Sequence, residues 1–368
     1  MLHIRRLRLF ILVFMLLILT ACQGVTIPSQ ISTSGTQSSA ESTGEVQDQQ
    51  VEIPDIGPIK IGFIPIVNQA PPMVAQEKGY FAAQGLEVEL IYFRNFPEMV
   101  PLLATGELDF SVGDHSVNLL NAIVSELPIK VVGGMMVRPE GREGSFLQVR
   151  KDLLDSGEVT EFSDLSGRKI AIHTLATIVE FTFAQTLAEA GISIDDVELV
   201  VLPFSDMSLA MANGAVDAAI MWGALADQSF ADGVSAPLPY VYETMTHITS
   251  FVAGKRLLDS DNREVTIRIL TALYKAIQQD LARADYLQDE EISLILQKYT
   301  DLPLAIINNT EPESFIYDGK VDAESINRIQ SYYFDRGYLN YSELLSIDEI
   351  ADESFVNEAI QRLNQSSE

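Results

Sequence analysis

The chain has 368 residues, with 24 Lys plus Arg against 52 Asp plus Glu, and a formal net charge of −28. So acidic a chain is unsuited to nucleic acid, whose phosphates need clustered Lys and Arg, and to holding an anionic lipid surface by charge. One Cys excludes an internal disulfide and a Cys metal cluster, and four His without H-x-x-x-H spacing mark no metal site.

Arg5, Arg6 and Arg8 precede an unbroken apolar run of eleven residues, Leu9 to Leu19. That run is too short to cross a hydrocarbon core of about 30 Å as a helix. It fits the apolar region of a secretory signal over residues 1–21. Leu19-Thr20-Ala21-Cys22 resembles the bacterial lipobox, which implies cleavage before Cys22 and lipidation of its thiol. Residues 22–55 are rich in Ser, Thr and Gln and are read as a flexible tether. No later apolar run approaches the length of a membrane span. The expectation is an exported chain held by lipid to the outer face of the cell membrane.

Ile59 to Pro65 reads as the first strand. Pro71-Pro72 opens a helix to about Ala83, closed by Gly85. Strand 88–93, helix 96–104, strand 108–112, a helix near 115–125 and strand Ile129 to Gly133 follow. Phe146 to Arg150 reads as a crossing strand. Then come strand Lys169 to Ile172, helix 177–190, strand 197–202, helix 206–213, strand 217–222 and strand Ile248 to Ala253. Beyond Arg263 the pattern is helical over 263–284, 289–299 and 322–336, with Tyr332-Tyr333-Phe334 read as core.

One pattern occurs twice, about 108 residues apart. Met99, Ala104, Gly106 and Asp109 match Met207, Ala212, Gly214 and Asp217 in register, each set preceded by a strand. Two α/β lobes of like topology, each a mainly parallel sheet flanked by helices, explain the repeat. The lobes are placed at 56–143 with 255–364, and at 144–254, with hinges near 141–146 and 253–256.

Lys60-Ile61-Gly62-Phe63-Ile64-Pro65, Pro71-Pro72-Met73-Val74-Ala75-Gln76-Glu77-Lys78-Gly79-Tyr80-Phe81 and Asp164-Leu165-Ser166-Gly167-Arg168-Lys169-Ile170-Ala171 resemble bacterial ABC-importer solute-binding proteins. The similar branch includes binders of nitrate, sulfonates, taurine, thiamine-pyrimidine precursors and riboflavin. The resemblance spans about residues 59–285 and implies a type II periplasmic-binding clamshell closing on one small molecule. Arg138-Pro139-Glu140-Gly141 and Leu202-Pro203-Phe204-Ser205-Asp206-Met207 are most similar to riboflavin-binding lipoproteins. Two positions depart from the family pattern. His173-Thr174-Leu175 stands where a Gly-rich turn is common, and Trp222-Gly223-Ala224 where Glu-Pro is common.

In open α/β sheets ligands bind beyond the C-terminal strand ends. That rule selects Asn68, Asp114, His115 and Ser116 in lobe one, with Arg138 nearby, and Thr174, Glu180, Phe204, Asp206 and Trp222 in lobe two. Phe204 or Trp222 would stack on a flat ring, and Asn68, Asp114 or Thr174 would bond its edge. Each has a plainer alternative. Trp222 could be core, Asp206 and Ser116 helix caps, His115 a surface loop residue, Glu180 a solvated helix face, and Arg138 a surface charge near the hinge.

The reading is a monomeric solute-binding lipoprotein that delivers a heteroaromatic, riboflavin first, to a membrane permease and its ATPase. Thiamine pyrimidines and sulfonate or nitrate anions are the alternatives, and no cofactor or catalytic residue is assigned. The eukaryotic thiamine-pyrimidine synthases that share the implied fold use a Cys-rich motif, whereas the single Cys here lies in the lipobox. A sensor without a transport partner stays open.

Overall fold

The computed structural model describes residues 54–365 except 142, 145, 222 and 242–244. The signal segment, Cys22, most of the tether and Trp222 lie outside the described residues. The strands described are β1 (Ile59–Phe63), β2 (Val88–Tyr92), β3 (Phe110–Gly113), β4 (Lys130–Arg138), β5 (Glu143–Gly144), β6 (Leu147–Arg150) and β7 (Lys169–Ile172). They continue with β8 (Glu198–Val201), β9 (Ala218–Ile220), β10 (Ser235–Pro237), β11 (Tyr240–Val241), β12 (Thr246–Ala253) and β13 (Ser314–Phe315). The first sheet has the order β13-β4-β12-β3-β1-β2 and the second β10-β6-β9-β7-β8. β5 and β11 pair as a short ribbon where the chain passes between them.

The sheets are built alike. β1 pairs in parallel with β2 and β3, as β7 does with β8 and β9. Helices carry the crossovers that parallel pairing requires. The mainly parallel sheets expected are nevertheless mixed. β6 runs antiparallel to β9, and β12 antiparallel to β3 and β4. Both strands come from the ribbon side, where the parallel strands end, so they must run the other way.

β12 also corrects the expected lobe boundary. All eight of its residues are buried, and it pairs on both sides within the first sheet. The chain therefore re-enters the first sheet before Thr246, not at 254. The segment 253–256, expected as a hinge, is a turn at that sheet's opposite edge, where Gly254 N donates to Asp109 O at 2.8 Å.

The repeated motif has the same physical role in both sheets. Gly106 and Gly214, with φ of +84° and +75°, follow the helices Val100–Thr105 and Phe204–Ala212 in a conformation costly for other residues. Asp109 Oδ2 then accepts from Lys60 N at 2.9 Å, and Asp217 Oδ2 from Lys169 N at 2.9 Å. The acid before the third strand of each unit thus grips the start of the first. An Arg from the antiparallel neighbour joins each grip. Arg256, just past β12, lies 3.2 Å from Asp109, and Arg150, ending β6, lies 3.6 Å from Asp217. A Cβ on Gly106 or Gly214 would come within 3.3 or 3.4 Å of these side chains, so each glycine also makes room for its Arg.

The helices Arg263–Gln279, Glu290–Thr300 and Ser354–Gln365 pack on the first sheet's side of the molecule, around the helix Ala70–Glu77. In the helix Ala323–Asp335, Tyr333 is fully buried and Tyr332 partly, but Phe334 is 44% exposed. Three consecutive helical residues point about 100° apart, so the triplet expected as core cannot all face inward.

The two acids differ in burial, Asp109 being sealed and the Asp217 side chain 23% exposed. Asp109→Ala is expected to cost about 2 kcal/mol, because it removes the sealed carboxylate that holds both the Lys60 N–H and the part-exposed Arg256. Asp217→Ala is expected to cost about 1 kcal/mol. Urea unfolding midpoints of the two variants test this, and equal losses would contradict it.

Candidate binding site at the facing strand ends

The C-terminal ends of β1, β3 and β4 lie along one edge of the first sheet, and those of β7, β8 and β9 along one edge of the second. Loops from these edges meet. Val117 N, opening the helix Val117–Val124, donates to Ala176 O at 3.2 Å, just before the helix Ile178–Glu189 of the other lobe. Ala176 holds φ of +59°, a left-handed conformation unfavourable for a residue with a Cβ. Its N–H donates to Glu180 Oε2 at 2.6 Å, which supports the turn from inside.

Glu180 is 0% exposed, which excludes the solvated helix face considered for it. Its Oε1 accepts from Tyr332 at 2.7 Å and from Tyr338 at 3.0 Å. With both oxygens engaged by the chain, Glu180 fastens the helix Ile178–Glu189 to the helix Ala323–Asp335 and the turn after it instead of facing a ligand. Phe181 reinforces the junction, its ring 5.7 Å from that of Tyr332.

Asp114, His115 and Ser116 follow β3. His115 and Ser116 are fully buried, so neither the surface loop considered for His115 nor exposure of this turn is found. Ser116 occupies the N-cap position but makes no capping side-chain hydrogen bond. Asp114 Oδ1, His115 Nδ1 and Tyr333 Oη are sealed from solvent without a hydrogen-bond partner among the described residues. Asp114 raises the Tyr333 pKa through its charge, which places the two near each other. Buried polar atoms in folded proteins are nearly always paired. Three unpaired ones in this region mark a surface suited to something polar.

Burial pushes the Asp114 carboxyl up to about 6, outweighing the donors Ser116 and Ile178 N–H that lower it. Burial also holds His115 well below its ordinary value, and brings His173 and His247 down to about 4. The site therefore combines one carboxylate that titrates near neutrality with imidazoles that stay neutral.

On the opposite lobe the His173 ring stacks on Phe204, centroids 4.4 Å apart and planes 19° apart. Phe204 is partly buried at the start of its helix. Thr174 is partly buried, and its hydroxyl donates to His173 O at 2.8 Å. Asp206 is exposed, and its carboxylate accepts from Ser205 at 3.1 Å, so it neither caps the helix nor lines a buried site. Asn68 is partly buried in the turn Val67–Gln69 after β1, where its neighbour Gln69 takes the structural hydrogen bond from Ile64 N at 2.7 Å. Arg138 ends β4, three strand positions from β1, or roughly 14 Å. The structure thus gathers Asp114, His115 and Ser116 with Ala176 and Glu180, pairs Phe204 with His173, and sets Arg138 on β4 and Asp206 in solvent.

Tyr333, Ser250 and His247 were missed as site residues in the sequence. The hydroxyl of Ser250 lies 2.8 Å from His247 Nε2 and 3.1 Å from His115 Nε2. The one available signal was a His and a Ser three apart in a strand otherwise suited to the core.

A profile of the family described as NMT1/THI5 like matches residues 66–284. A candidate thiamine biosynthesis protein of Haemophilus influenzae is 31% identical over 154 residues, 42% of this chain and 45% of that protein. The chain spans about half the length of the curated relatives it matches. The alkanesulfonate-binding protein SsuA of Xanthomonas axonopodis pv. citri superposes with a TM-score of 0.61 at 17% identity, covering 81% of this chain and 99% of that one. The nitrate-binding protein NrtA of Synechocystis PCC 6803 gives 0.65 at 18%, covering 85% and 90%. At such identities the two structures establish the fold, an α/β architecture with two mixed sheets.

The raised Asp114 pKa has a definite sign. A carboxyl whose folded value lies above its unfolded one favours folding below about pH 4, and loses that contribution as pH rises through about 6. Asp114→Asn is therefore expected to match the parent near pH 4 and to exceed it by about 2 kcal/mol at pH 7. Thermal unfolding across that range checks it, and a destabilised variant at pH 7 would refute it.

Proposed function

The chain belongs to the NMT1/THI5-like family, and from that premise we propose an extracytoplasmic solute-binding protein that closes two lobes on a small heteroaromatic molecule. The lobes are residues 56 to about 141 with the segment from β12 onward, and the stretch between them. Cys22 carries the lipid anchor, residues 23–55 are the tether, and an ABC-type permease with its ATPase receives the ligand. The chain acts as a monomer and performs no reaction on what it binds.

The observation that supports this reading is the set of sealed polar atoms at Asp114, His115 and Tyr333 that lack partners among the described residues. A ligand must pair with a carboxylate there, so it brings hydrogen-bond donors. His173 and Phe204 add a flat apolar face across the interface. A ring with an amino edge satisfies both, and a thiamine-type aminopyrimidine fits before riboflavin, the ligand favoured from the sequence. The resemblance of one relative to thiamine biosynthesis supports the same order. Sulfonate and nitrate bring only acceptors, which the ionised Asp114 would repel.

Titration calorimetry of the chain lacking residues 1–22 with 4-amino-2-methylpyrimidine, riboflavin, taurine and nitrate separates these ligands. Micromolar or tighter binding of the pyrimidine is expected, increasing from pH 5 to 7 as Asp114 ionises and lost in Asp114→Asn. Saturable quenching of flavin fluorescence would shift the assignment to riboflavin. Binding of taurine or nitrate alone would overturn the heteroaromatic reading.

A further inference from the structure

We propose that Ser250 and His247 are positioning residues that fix His115 as its Nδ1–H tautomer, so that the loop after β3 presents one hydrogen-bond donor beside the Asp114 acceptor. The inference rests on the binding reading above and adds the donor and acceptor order of the ligand edge.

The relay starts at a backbone N–H, which can only donate. The backbone N–H of Asp322 donates to His247 Nδ1 at 3.3 Å. A ring nitrogen that accepts carries no proton, so neutral His247 is protonated at Nε2. That nitrogen lies 2.8 Å from Ser250 Oγ and donates to it. The single hydroxyl proton of Ser250 stays available, and the relay proposed here sends it to His115 Nε2, 3.1 Å away. His115 accepts at Nε2, so its own proton sits on Nδ1. This Nδ1 is sealed from solvent and has no partner among the described residues. Every link is a neutral group, because burial disfavours the charged form of both imidazoles.

The surroundings hold this chain in place. The Asp322 carboxylate caps the helix Ala323–Asp335 through the N–H groups of Glu324 and Ser325, at 3.2 and 3.3 Å, which fixes the backbone donor that starts the relay. Ser325 Oγ accepts from His247 N at 2.8 Å. On β4 a Cβ at Gly134 would lie 2.8 Å from His247 Cε1, so glycine leaves space for the ring. The His115 and His247 rings meet edge to face, centroids 5.1 Å apart. His115, His247 and Ser250 are each at most 1% exposed.

A ligand edge that answers this pair donates to Asp114 and accepts from His115. A ring nitrogen beside an exocyclic amine has that order, and so does an imide N–H beside its carbonyl. An anion bearing acceptors alone can use only the His115 half.

Four histidines in the chain make a direct test practical. Two-bond proton–nitrogen correlation spectra of the full chain, labelled with ¹⁵N in its imidazoles, report which ring nitrogen holds the proton at pH 7. The expected result is His115 protonated at Nδ1 alone and His247 at Nε2 alone. Ser250→Ala should move His115 toward the Nε2–H form and weaken 4-amino-2-methylpyrimidine by about tenfold, the worth of one hydrogen bond. Nε2–H or doubly protonated His115 in the parent chain overturns the proposal, even if the pyrimidine binds. Nδ1–H His115 without pyrimidine binding upholds the relay and overturns the binding reading instead. The parent spectrum needs neither a variant nor a ligand, so misfolding of Ser250→Ala cannot decide the matter.

Discussion

The grip of Asp109 on the start of β1, and of Asp217 on the start of β7, is the constraint from which the architecture follows. Each acid bonds the backbone N–H of a Lys at 2.9 Å and also anchors an Arg delivered by the antiparallel strand. One carboxylate thereby fixes the register of three strands at one edge of a sheet. Because strand length is set, the opposite edge is fixed too, and the loops that carry Asp114 and His173 leave from defined heights. The same device in both sheets lets the two loop-bearing edges oppose each other.

Stability and function are divided between opposite edges. At the gripped edge Asp109 and Asp217 each hold a backbone N–H and an Arg, and each sheet has its own apolar core, the second including Phe146, Phe162 and Phe183. At the facing edges the opposite holds. Each buried polar atom without a partner costs on the order of 1–3 kcal/mol, and Asp114 Oδ1, His115 Nδ1 and Tyr333 Oη are such atoms among the described residues. A left-handed Ala176 adds strain beside them. A fold tolerates such a region when binding relieves it.

Local signals in the sequence carried much of this. The doubled Met, Ala, Gly and Asp pattern was legible because glycine at a left-handed turn and an acid three residues later act within one turn and one strand. The order of helices and strands was legible for the same reason. What was not legible depends on partners far along the chain. Glu180 looked like a helix-surface acid, but its partners Tyr332 and Tyr338 lie more than 150 residues away. β12 has the composition of a strand in either lobe, and only its pairing with both β3 and β4 assigns it to the first sheet. Tyr333 was correctly read as buried, yet burial alone does not reveal whether a hydroxyl finds a partner.

The electrostatics of the facing edges favour recognition over proton transfer. A group that moves protons in a reaction must hold a pKa near the working pH. His115, His173 and His247 are held neutral by burial, so their hydrogen bonds keep one direction across the physiological range. Asp114 alone titrates near neutrality, and it stands beside a fixed imidazole. A neutral donor next to a single ionisable acceptor distinguishes ligands by the order of their own donors and acceptors, with shape supplied by the His173 and Phe204 rings. The fold by itself would permit other uses. The specific reading comes from buried imidazoles that stay neutral and from Asp114 Oδ1 and His115 Nδ1, which lack partners among the described residues.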